Sequence, residues 1–323
     1  MRRLILLSIL TLFISRDIIS QQVPIYSQYI LNEFLVNPAV AGIDGMTSIN
    51  MTGRKQWLGL QHTPETYSVT FSTRILKSPF SVQNRRYHKG SKGRVGLGGA
   101  FVTDWNGAIN RTSLQFSYAY HIFIRNNQLS FGMSLVATQF RIDQDLITLR
   151  DPNNDPVTDV LGKSAYIPDA GAGLSYSSRK GIISISAVNL FQSPIKFGNQ
   201  EFRSQDLDHI RQYNLYGLYR YQLRNQRWEI EPSVLVRGNE KLRFAADITG
   251  RLIYRKEYWA GLSFRTTKDF ILLLGMKINR VYIGYSFDYG LNELSKASYG
   301  SHEVVLAIKL GDSNRRYRWL ERY

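Results

Sequence analysis

Apolar and polar residues alternate along most of the chain, with a period of two rather than the 3.6 of a helix. Between 281 and 290 the odd positions are apolar, and mostly small or polar residues take the even ones. Successive side chains of a β-strand point to opposite faces, so this pattern predicts strands with one apolar and one more polar face. The same alternation is found in 67–71, 113–124, 170–176, 228–236, 242–248, 258–264 and 301–310.

The alternation predicts an all-β chain of about fourteen strands, each about nine to twelve residues long. This length exceeds that of ordinary strands and suits a tilted membrane span. A soluble sandwich would also alternate, so alternation alone does not decide between the two folds. The predicted strands begin near Thr47, Glu65, Gly93, Arg111, Gln128, Ile167, Ile182, Leu207, Arg227, Lys241, Glu257, Asp269, Val281 and Tyr299.

The predicted connections alternate between short and long. Short turns fall at 125–127, 178–181, 224–226, 255–256 and 279–280. Longer connections fall at about 141–166, 190–206 and 290–298, with shorter ones near 58–64 and 105–110. Short periplasmic turns and longer outer loops are typical of outer-membrane barrels, so the fold class predicted here is a transmembrane antiparallel β-barrel. The long basic stretch 76–92 breaks this rule, because it falls on the predicted periplasmic side; it is expected to be either a partner contact or a disordered excursion.

The aromatic content strengthens this interpretation. The chain contains 20 Tyr, 16 Phe and 5 Trp. Membrane barrels place aromatic rings at both lipid–water interfaces, where the ring lies among lipid and the polar tip meets water. No stretch approaches the eighteen or so apolar residues that a helical span needs, so strands are the expected way of crossing.

The first twenty residues predict a secretory signal peptide. Two arginines follow Met1, and the run from Leu4 to Ile14 is then almost wholly apolar. A run of about eleven is too short to span a bilayer but fits the apolar core of a secretory signal. Cleavage is expected near Ser20–Gln21, although Ile18 stands where a small residue is usual. The alternative is a buried N-terminal element.

A formal net charge of +16 and a pI of about 9.9 allow three kinds of surroundings: nucleic acid, an acidic glycolipid or envelope protein, or plain solvent. The basic residues are spread along the chain, and no recognition helix is predicted around the small clusters. Nucleic acid is therefore not the expected partner. The clusters comprise Arg85, Arg86, Lys89, Lys92 and Arg94, and then Arg315, Arg316 and Arg318.

No catalytic, metal or cofactor site is predicted. The chain has no cysteine, and none of its five histidines has metal-ligand spacing. His302 and Glu303 are adjacent, so on a strand their side chains point to opposite faces. Glycines at 93–99 lack the lysine of a phosphate loop, and small residues on a barrel interior explain them. Residues 151–156 lack the glycine and final glutamate of an EF-hand, so a surface turn is expected.

Two segments resemble one specific family. Near the mature N-terminus stand Ser27-Gln28-Tyr29, then Asn37-Pro38-Ala39-Val40-Ala41-Gly42, and then Arg54-Lys55-Gln56-Trp57. The last predicted hairpin contains Gly284-Tyr285-Ser286-Phe287-Asp288 and Gly300-Ser301-His302-Glu303-Val304. In order and spacing, from about residue 22 to 310, these resemble the PorP/SprF family of the type IX secretion system. Family members often have Asp-Pro ahead of the first motif, where this chain has Ile25-Tyr26, which leaves the subfamily open.

The resemblance implies a non-catalytic outer-membrane component of type IX secretion. Partners implied are outer-membrane lipid, type IX lipoproteins or periplasmic components, and, for some members, a large adhesin-like surface protein that is secreted and held outside. The alternatives are a passive pore or small-solute transporter and, less in keeping with the residues, an outer-membrane enzyme.

The expected organisation has four parts: a signal peptide 1–20, a periplasmic or lumenal segment 21–46, the barrel 47–310 and a basic tail 311–323. Pro38 restricts the preceding Asn37 to extended geometry, and Gly42 permits a tight bend. The segment is therefore expected to fold into the lumen or across the periplasmic mouth. Trp57 is expected to anchor the first strand at the outer interface.

Overall fold

The computed structural model describes residues 25–75, 94–147, 163–194, 196–197, 200–201, 210–241, 243–291, 293 and 297–311. Several features discussed above lie outside the described residues. These are the signal peptide, the basic stretch 76–92, the turn at 151–156, and the tail beyond Gly311 with its arginines.

The described chain is almost entirely β-structure, with two short 3₁₀ turns, Glu33–Leu35 and Pro38–Val40, before the first strand. The strands are β1 Thr47–Lys55, β2 Glu65–Ile75, β3 Val95–Asn106, β4 Ile109–Ile124, β5 Asn127–Ile142, β6 Ser164–Ser177, β7 Gly181–Val188, β8 Lys196–Phe197, β9 Gln200–Glu201, β10 Gln212–Tyr219, β11 Tyr221–Gln222, β12 Trp228–Asn239, β13 Phe244–Tyr254, β14 Tyr258–Arg265, β15 Asp269–Ile278, β16 Val281–Gly290 and β17 Ser301–Leu310. No helix in the described part of the chain is long and apolar enough to cross a membrane.

The strands close into one antiparallel barrel. Neighbours in sequence pair around the wall, β1 pairs with β17, and β10 pairs with both β7 and β12. Strand β11 pairs with β12 directly beyond Arg220 and so continues β10 as one wall strand. Strands β8 and β9 pair only with each other, within the connection after β7. The wall therefore has fourteen strands, which confirms the predicted fold and strand count.

The two ends of the barrel differ. Thr47 pairs with Leu310, so β1 begins and β17 ends at the same end, here called the terminus side. The short turns after β4, β6, β13 and β15 lie there, whereas the connections after β5, β7 and β16 lie at the opposite end, here called the loop side. The turn after β13 places Arg255 and Lys256 at φ of 52° and 58°, as a tight I′ hairpin requires. By the usual rule for such barrels, the terminus side is periplasmic.

The outer face is apolar and the inner face is polar. Outward side chains such as Phe116, Met133 and Leu262 are 63%, 70% and 69% exposed, while inward ones such as Glu231 and Asp247 are fully buried. Outward aromatic rings touch near both ends of the wall. The ring centroids of Tyr67 and Trp105 lie 5.7 Å apart on the loop side, and those of Trp228 and Tyr254 lie 4.6 Å apart on the terminus side. A soluble protein does not expose such a continuous apolar band, so the surface is one made for lipid.

Candidate functional site

Residues 25–46, here called the plug, lie inside the barrel. Tyr29 packs with Tyr216 and Leu235, and Leu31 packs with Val305 of β17. Phe34 contacts small residues of β3 and β4. Each of these plug side chains is at most 4% exposed. Within the segment predicted to fold into the lumen or across the mouth, the described residues 25–46 lie in the lumen.

The start of the plug is held by two carboxylates of the last hairpin. The backbone N–H groups of Ser27 and Gln28 donate to the two carboxylate oxygens of Glu303, each at 2.8 Å. The Ser27 hydroxyl donates to Asp288 at 2.6 Å. Glu303 is 1% exposed, so these charge-assisted hydrogen bonds form away from solvent, where they are stronger.

Arg54 completes this contact. Its guanidinium donates to the Ser27 hydroxyl at 2.9 Å, to Glu303 at 3.1 Å and to Asp288 at 2.7 Å. The three motif segments of the sequence, near residues 27, 54 and 288–303, therefore meet at one point inside the lumen. We call Ser27, Gln28, Arg54, Asp288 and Glu303 the plug anchor.

The plug anchor continues into a wider network of buried charges. Arg265 bonds Asp247 at 2.8 Å and lies 3.6 Å from Asp288, and Arg237 also pairs with Asp247. Farther along the wall, Glu231 pairs with Arg251 and, at 3.0 Å, with Arg220. Isolated buried charges are costly, and here each carboxylate faces at least one guanidinium.

Neutral groups also fix the plug at and just after the plug anchor. The Gln28 side-chain amide donates to the carbonyls of Tyr285 at 2.8 Å and Leu274 at 3.3 Å. The Tyr29 hydroxyl lies 3.2 Å from that of Thr249, and its ring meets Tyr216 edge-on at 5.8 Å. Burial raises the pKa of the Tyr29 phenol, so this group stays protonated and neutral in the lumen.

We expect Tyr29→Phe to weaken the plug slightly, because it removes this hydroxyl contact and keeps the ring. The expected loss is about 0.5–1.5 kcal/mol, visible as faster hydrogen exchange at plug amides. Tyr67→Phe is the matched control, since its hydroxyl contacts Glu65 on the exposed outer face. Equal exchange in both variants would show that the Tyr29 hydroxyl does not hold the plug.

Asn37 fixes the second 3₁₀ turn against the wall. Its side-chain oxygen accepts from the Ala39 N–H at 2.9 Å, which caps the turn that Pro38 begins. Its amide donates to the carbonyls of Leu174 at 3.0 Å and Ile185 at 3.2 Å. The asparagine thus satisfies both the turn and two wall carbonyls.

Glycines in the wall give this turn its room. A Cβ built at Gly173 would overlap the Asn37 side chain, and one at Gly132 would overlap the backbone of Ala39. A Cβ at Gly98 would come within 2.5 Å of the Phe34 ring. The glycines of 93–99 that fall on the inner face therefore serve packing, as the sequence suggested.

The end of the plug is fastened on the terminus side. His121 Nε2 donates to the Ala41 carbonyl at 3.0 Å, since a carbonyl can only accept. Gly42 then bends at φ 63°, and a Cβ there would lie 2.6 Å from the Thr73 carbonyl oxygen. Asp44 pairs with Lys309 at 3.2 Å just before β1 begins.

The remaining motif residues lie at the loop side, outside the lumen contact. The Gln56 N–H donates to the Pro64 carbonyl at 2.9 Å, and the Gly300 carbonyl accepts from Leu58 at 2.8 Å. Trp57 is half-buried in the loop after β1, with φ 48°, and its N–H donates to the Ser301 hydroxyl at 3.2 Å. The outer-interface role of Trp57 stays a prediction.

Three histidines lie within the described residues, at positions 62, 121 and 302. His302 bonds the Tyr285 hydroxyl at 2.8 Å on the outer face, while Glu303 points into the lumen. His121 lies 2.8 Å from Ser130, but its other ring nitrogen is bound to the plug rather than to an orienting acid. In the described ranges, no three His, Asp or Glu residues are grouped to hold a metal ion.

A cavity of about 180 Å³ lies between the plug and the loop-side wall. The plug contributes Tyr26, Tyr29, Leu35 and Val36 to it. The wall contributes Asp104, Arg111 and Arg237, together with several amide, hydroxyl and valine side chains. Most of these wall residues lie toward the loop-side ends of their strands, whereas Ser134 and Gly171 lie about halfway along theirs.

Sequence reasoning missed part of this site. Arg54 and Asp288 stood inside quoted motifs without a role, and Arg237, Asp247 and Arg265 were not singled out. Charged residues on the polar face of a predicted strand were the available signal. Such residues line any water-filled lumen, so the signal did not distinguish a plug contact.

Comparison with known proteins identifies the family. Residues 18–308 match the model of the family described as type IX secretion system membrane protein PorP/SprF. No curated protein matches the sequence.

Solved outer-membrane barrels are similar in shape. The outer membrane protein Omp33 of Acinetobacter baumannii matches with TM-score 0.43 and 9% identity, over 84% of this chain and 100% of that one. A FadL homologue of Pseudomonas aeruginosa matches with TM-score 0.42 and 11% identity, over 89% of this chain and 94% of that one.

Proposed function

This chain belongs to the PorP/SprF family of type IX secretion system membrane proteins, and we propose that it acts by binding protein partners rather than by catalysis or solute flow. It is an outer-membrane barrel associated with type IX secretion. The partners proposed are type IX lipoproteins or periplasmic components and, for a dedicated member, a large adhesin-like surface protein.

The plug is the observation that carries this proposal. A passive pore needs an open path through its lumen, whereas here motif residues from both ends of the chain hold a segment inside it. The buried hydrogen bonds of the plug anchor make this a built contact rather than a loose tail. With a segment held in the lumen, we expect the protein to act through the two ends of the barrel, which are the surfaces that protein partners would contact.

The test is affinity purification of the tagged protein from detergent-solubilised outer membranes, followed by mass spectrometry. An unrelated barrel with the same tag is the control for non-specific recovery. Selective recovery of type IX lipoproteins or of a large surface protein supports the proposal. It also shows which of these two kinds of partner the protein binds. Recovery of the barrel alone, together with steady conductance in planar bilayers, overturns it in favour of a pore.

We expect Asn37→Ala to lower surface delivery of the partner several-fold while the barrel still assembles. Three hydrogen bonds of the plug turn are lost, and two wall carbonyls lose their donor. Delivery would be followed by surface labelling of the partner, and assembly by heat-dependent mobility on gels. Asn126→Ala, in an exposed turn on the terminus side, is the control. If Asn37→Ala delivers the partner normally, the hydrogen bonds of the plug turn are not needed for delivery.

A further inference from the structure

The two ends of the barrel differ in charge as well as in loop length. In the described connections and strand ends of the terminus side, one exposed acid, Glu257, stands against these exposed basic residues: Arg94, Arg125, Arg179, Lys180, Arg224, Arg227, Arg255, Lys256 and Arg280. The described loop side is nearly balanced. Its exposed charges are Lys55, Arg141, Lys163, Lys241 and Lys268, against Asp143, Asp145, Glu240 and Glu293. The basic excess is therefore sorted to one end of the barrel.

The terminus-side basic residues are distributed around the whole circumference. Among the described residues, at least one stands in the connection before β3 and in each of the turns after β4, β6, β11, β13 and β15. A protein that docks against one sector of the rim would use only one or two of these turns. A lipid leaflet surrounds the barrel and meets all of them, so the distribution matches a leaflet better than a docked protein.

Two of the guanidinium groups contact outward-facing aromatic rings. The Arg255 guanidinium carbon lies 5.2 Å from the centroid of the Tyr254 ring, and that ring meets Trp228 at 4.6 Å. Arg94 Nη1 donates to the Tyr120 hydroxyl at 3.4 Å. Tyr and Trp rings on the outer face of membrane barrels lie at the level of the lipid headgroups. These guanidinium groups therefore lie at the depth of the lipid phosphates.

We propose that the nine terminus-side basic residues, here called the basic rim, bind the headgroups of anionic phospholipids in the leaflet around them. Guanidinium and ammonium groups donate to phosphate oxygens, and a negatively charged lipid surface attracts basic residues placed beside it. Because the loop side has no such excess, the binding would fix the height and tilt of the barrel from one leaflet. The ligand is lipid, so this binding goes beyond the proposed function and is independent of any protein partner.

The test measures which lipid the barrel holds at its surface. The protein is reconstituted into phosphatidylcholine vesicles that contain a trace of spin-labelled phosphatidylglycerol or spin-labelled phosphatidylcholine, and electron paramagnetic resonance gives the fraction of each label restrained at the protein. Both leaflets of such vesicles have the same lipids, so the orientation of the barrel does not affect the result. We expect a several-fold preference for phosphatidylglycerol at low salt. It should be lost near about 1 M salt, where the Debye length is only about 3 Å.

A pair of charge-matched variants locates the preference. The terminus-side variant carries Arg179→Gln, Arg224→Gln, Arg255→Gln and Arg280→Gln, and the loop-side control carries Arg141→Gln, Lys163→Gln, Lys241→Gln and Lys268→Gln. Both lose the same charge at exposed positions. The preference for phosphatidylglycerol should fall about twofold or more in the first variant and stay native in the second. Heat-dependent mobility on gels checks that both barrels are folded.

Two results would overturn the proposal. The first is a native protein that shows no preference for phosphatidylglycerol at low salt, which needs no variant and so does not depend on how the variants fold. The second is an equal loss of preference in both variants, because the attraction would then come from the total charge and not from the basic rim. If the native protein shows no lipid preference and the terminus-side variant alone loses an acidic protein on affinity purification, the basic rim binds that protein instead.

Discussion

Replacing Glu303 with alanine should release the start of the plug while leaving the barrel folded. Glu303 accepts from the backbone of Ser27 and Gln28 and from Arg54, all out of contact with solvent. Removing one partner of a buried ion pair typically costs about 3–5 kcal/mol, because the remaining charge is left uncompensated. This free-energy cost is lowest if the plug leaves and water enters, because Arg54 then becomes solvated.

Two measurements follow the plug in this variant. In planar bilayers, Glu303→Ala is expected to conduct where the native protein stays closed, and limited proteolysis is expected to cut within residues 25–46. Glu303→Gln keeps one acceptor oxygen and should give a smaller effect. These readouts report on the plug itself and do not depend on knowing the partner.

The matched control is Glu65→Ala. Glu65 pairs with Lys55 at 2.5 Å, but the two side chains are 26% and 45% exposed. Such a surface pair contributes only about 0–1 kcal/mol, so conductance and protease resistance should stay native. If Glu303→Ala is as closed and as resistant as Glu65→Ala, the anchor is not what holds the plug.

The barrel could be predicted because its signal is local. Each strand carries its own alternation and ends at its own turn. Each strand can therefore be predicted from its own residues, without knowledge of any long-range contact. Predicted starts at Thr47, Glu65, Asp269 and Val281 coincide with the observed ones. The strand expected near Leu207 begins at Gln212 instead. The long connection before it has weak alternation, and nothing in the sequence marks where wall pairing resumes.

The plug anchor could not be predicted because its signal is not local. Ser27 and Glu303 are separated by 276 residues, and only closure of the barrel brings them together. On their own strands, Arg54 and Asp288 look like any polar residue of a lumen. The motifs indicated a resemblance to one family in each of these segments, but they did not indicate that the segments contact each other. The contact of His121 with the plug was harder still to predict, because its partner is a backbone carbonyl, and every residue type has one.

Valine at Gly132 should keep the plug from seating, by crowding rather than by loss of charge pairing. A Cβ at Gly132 would overlap the backbone of Pro38 and Ala39, and neither backbone can turn aside as a long side chain can. Overpacking of this kind costs about 1–3 kcal/mol, and more where the neighbour is rigid. Valine also favours strands, so the wall itself should lose nothing.

The control for this change is Gly217→Val, on β10, where a Cβ would meet nothing within 4 Å. Both variants add the same side chain to a wall strand, but only one presses on the plug. Gly132→Val is expected to become conductive and sensitive to protease within the plug, with native heat-dependent mobility on gels, while Gly217→Val stays closed. Equal behaviour of the two would mean that the plug does not need the space that glycine leaves at this point of the wall. The Asn37 turn would then pack against the wall without close backbone contact at Gly132, and steric fit at this glycine would not explain how the plug is held in the lumen.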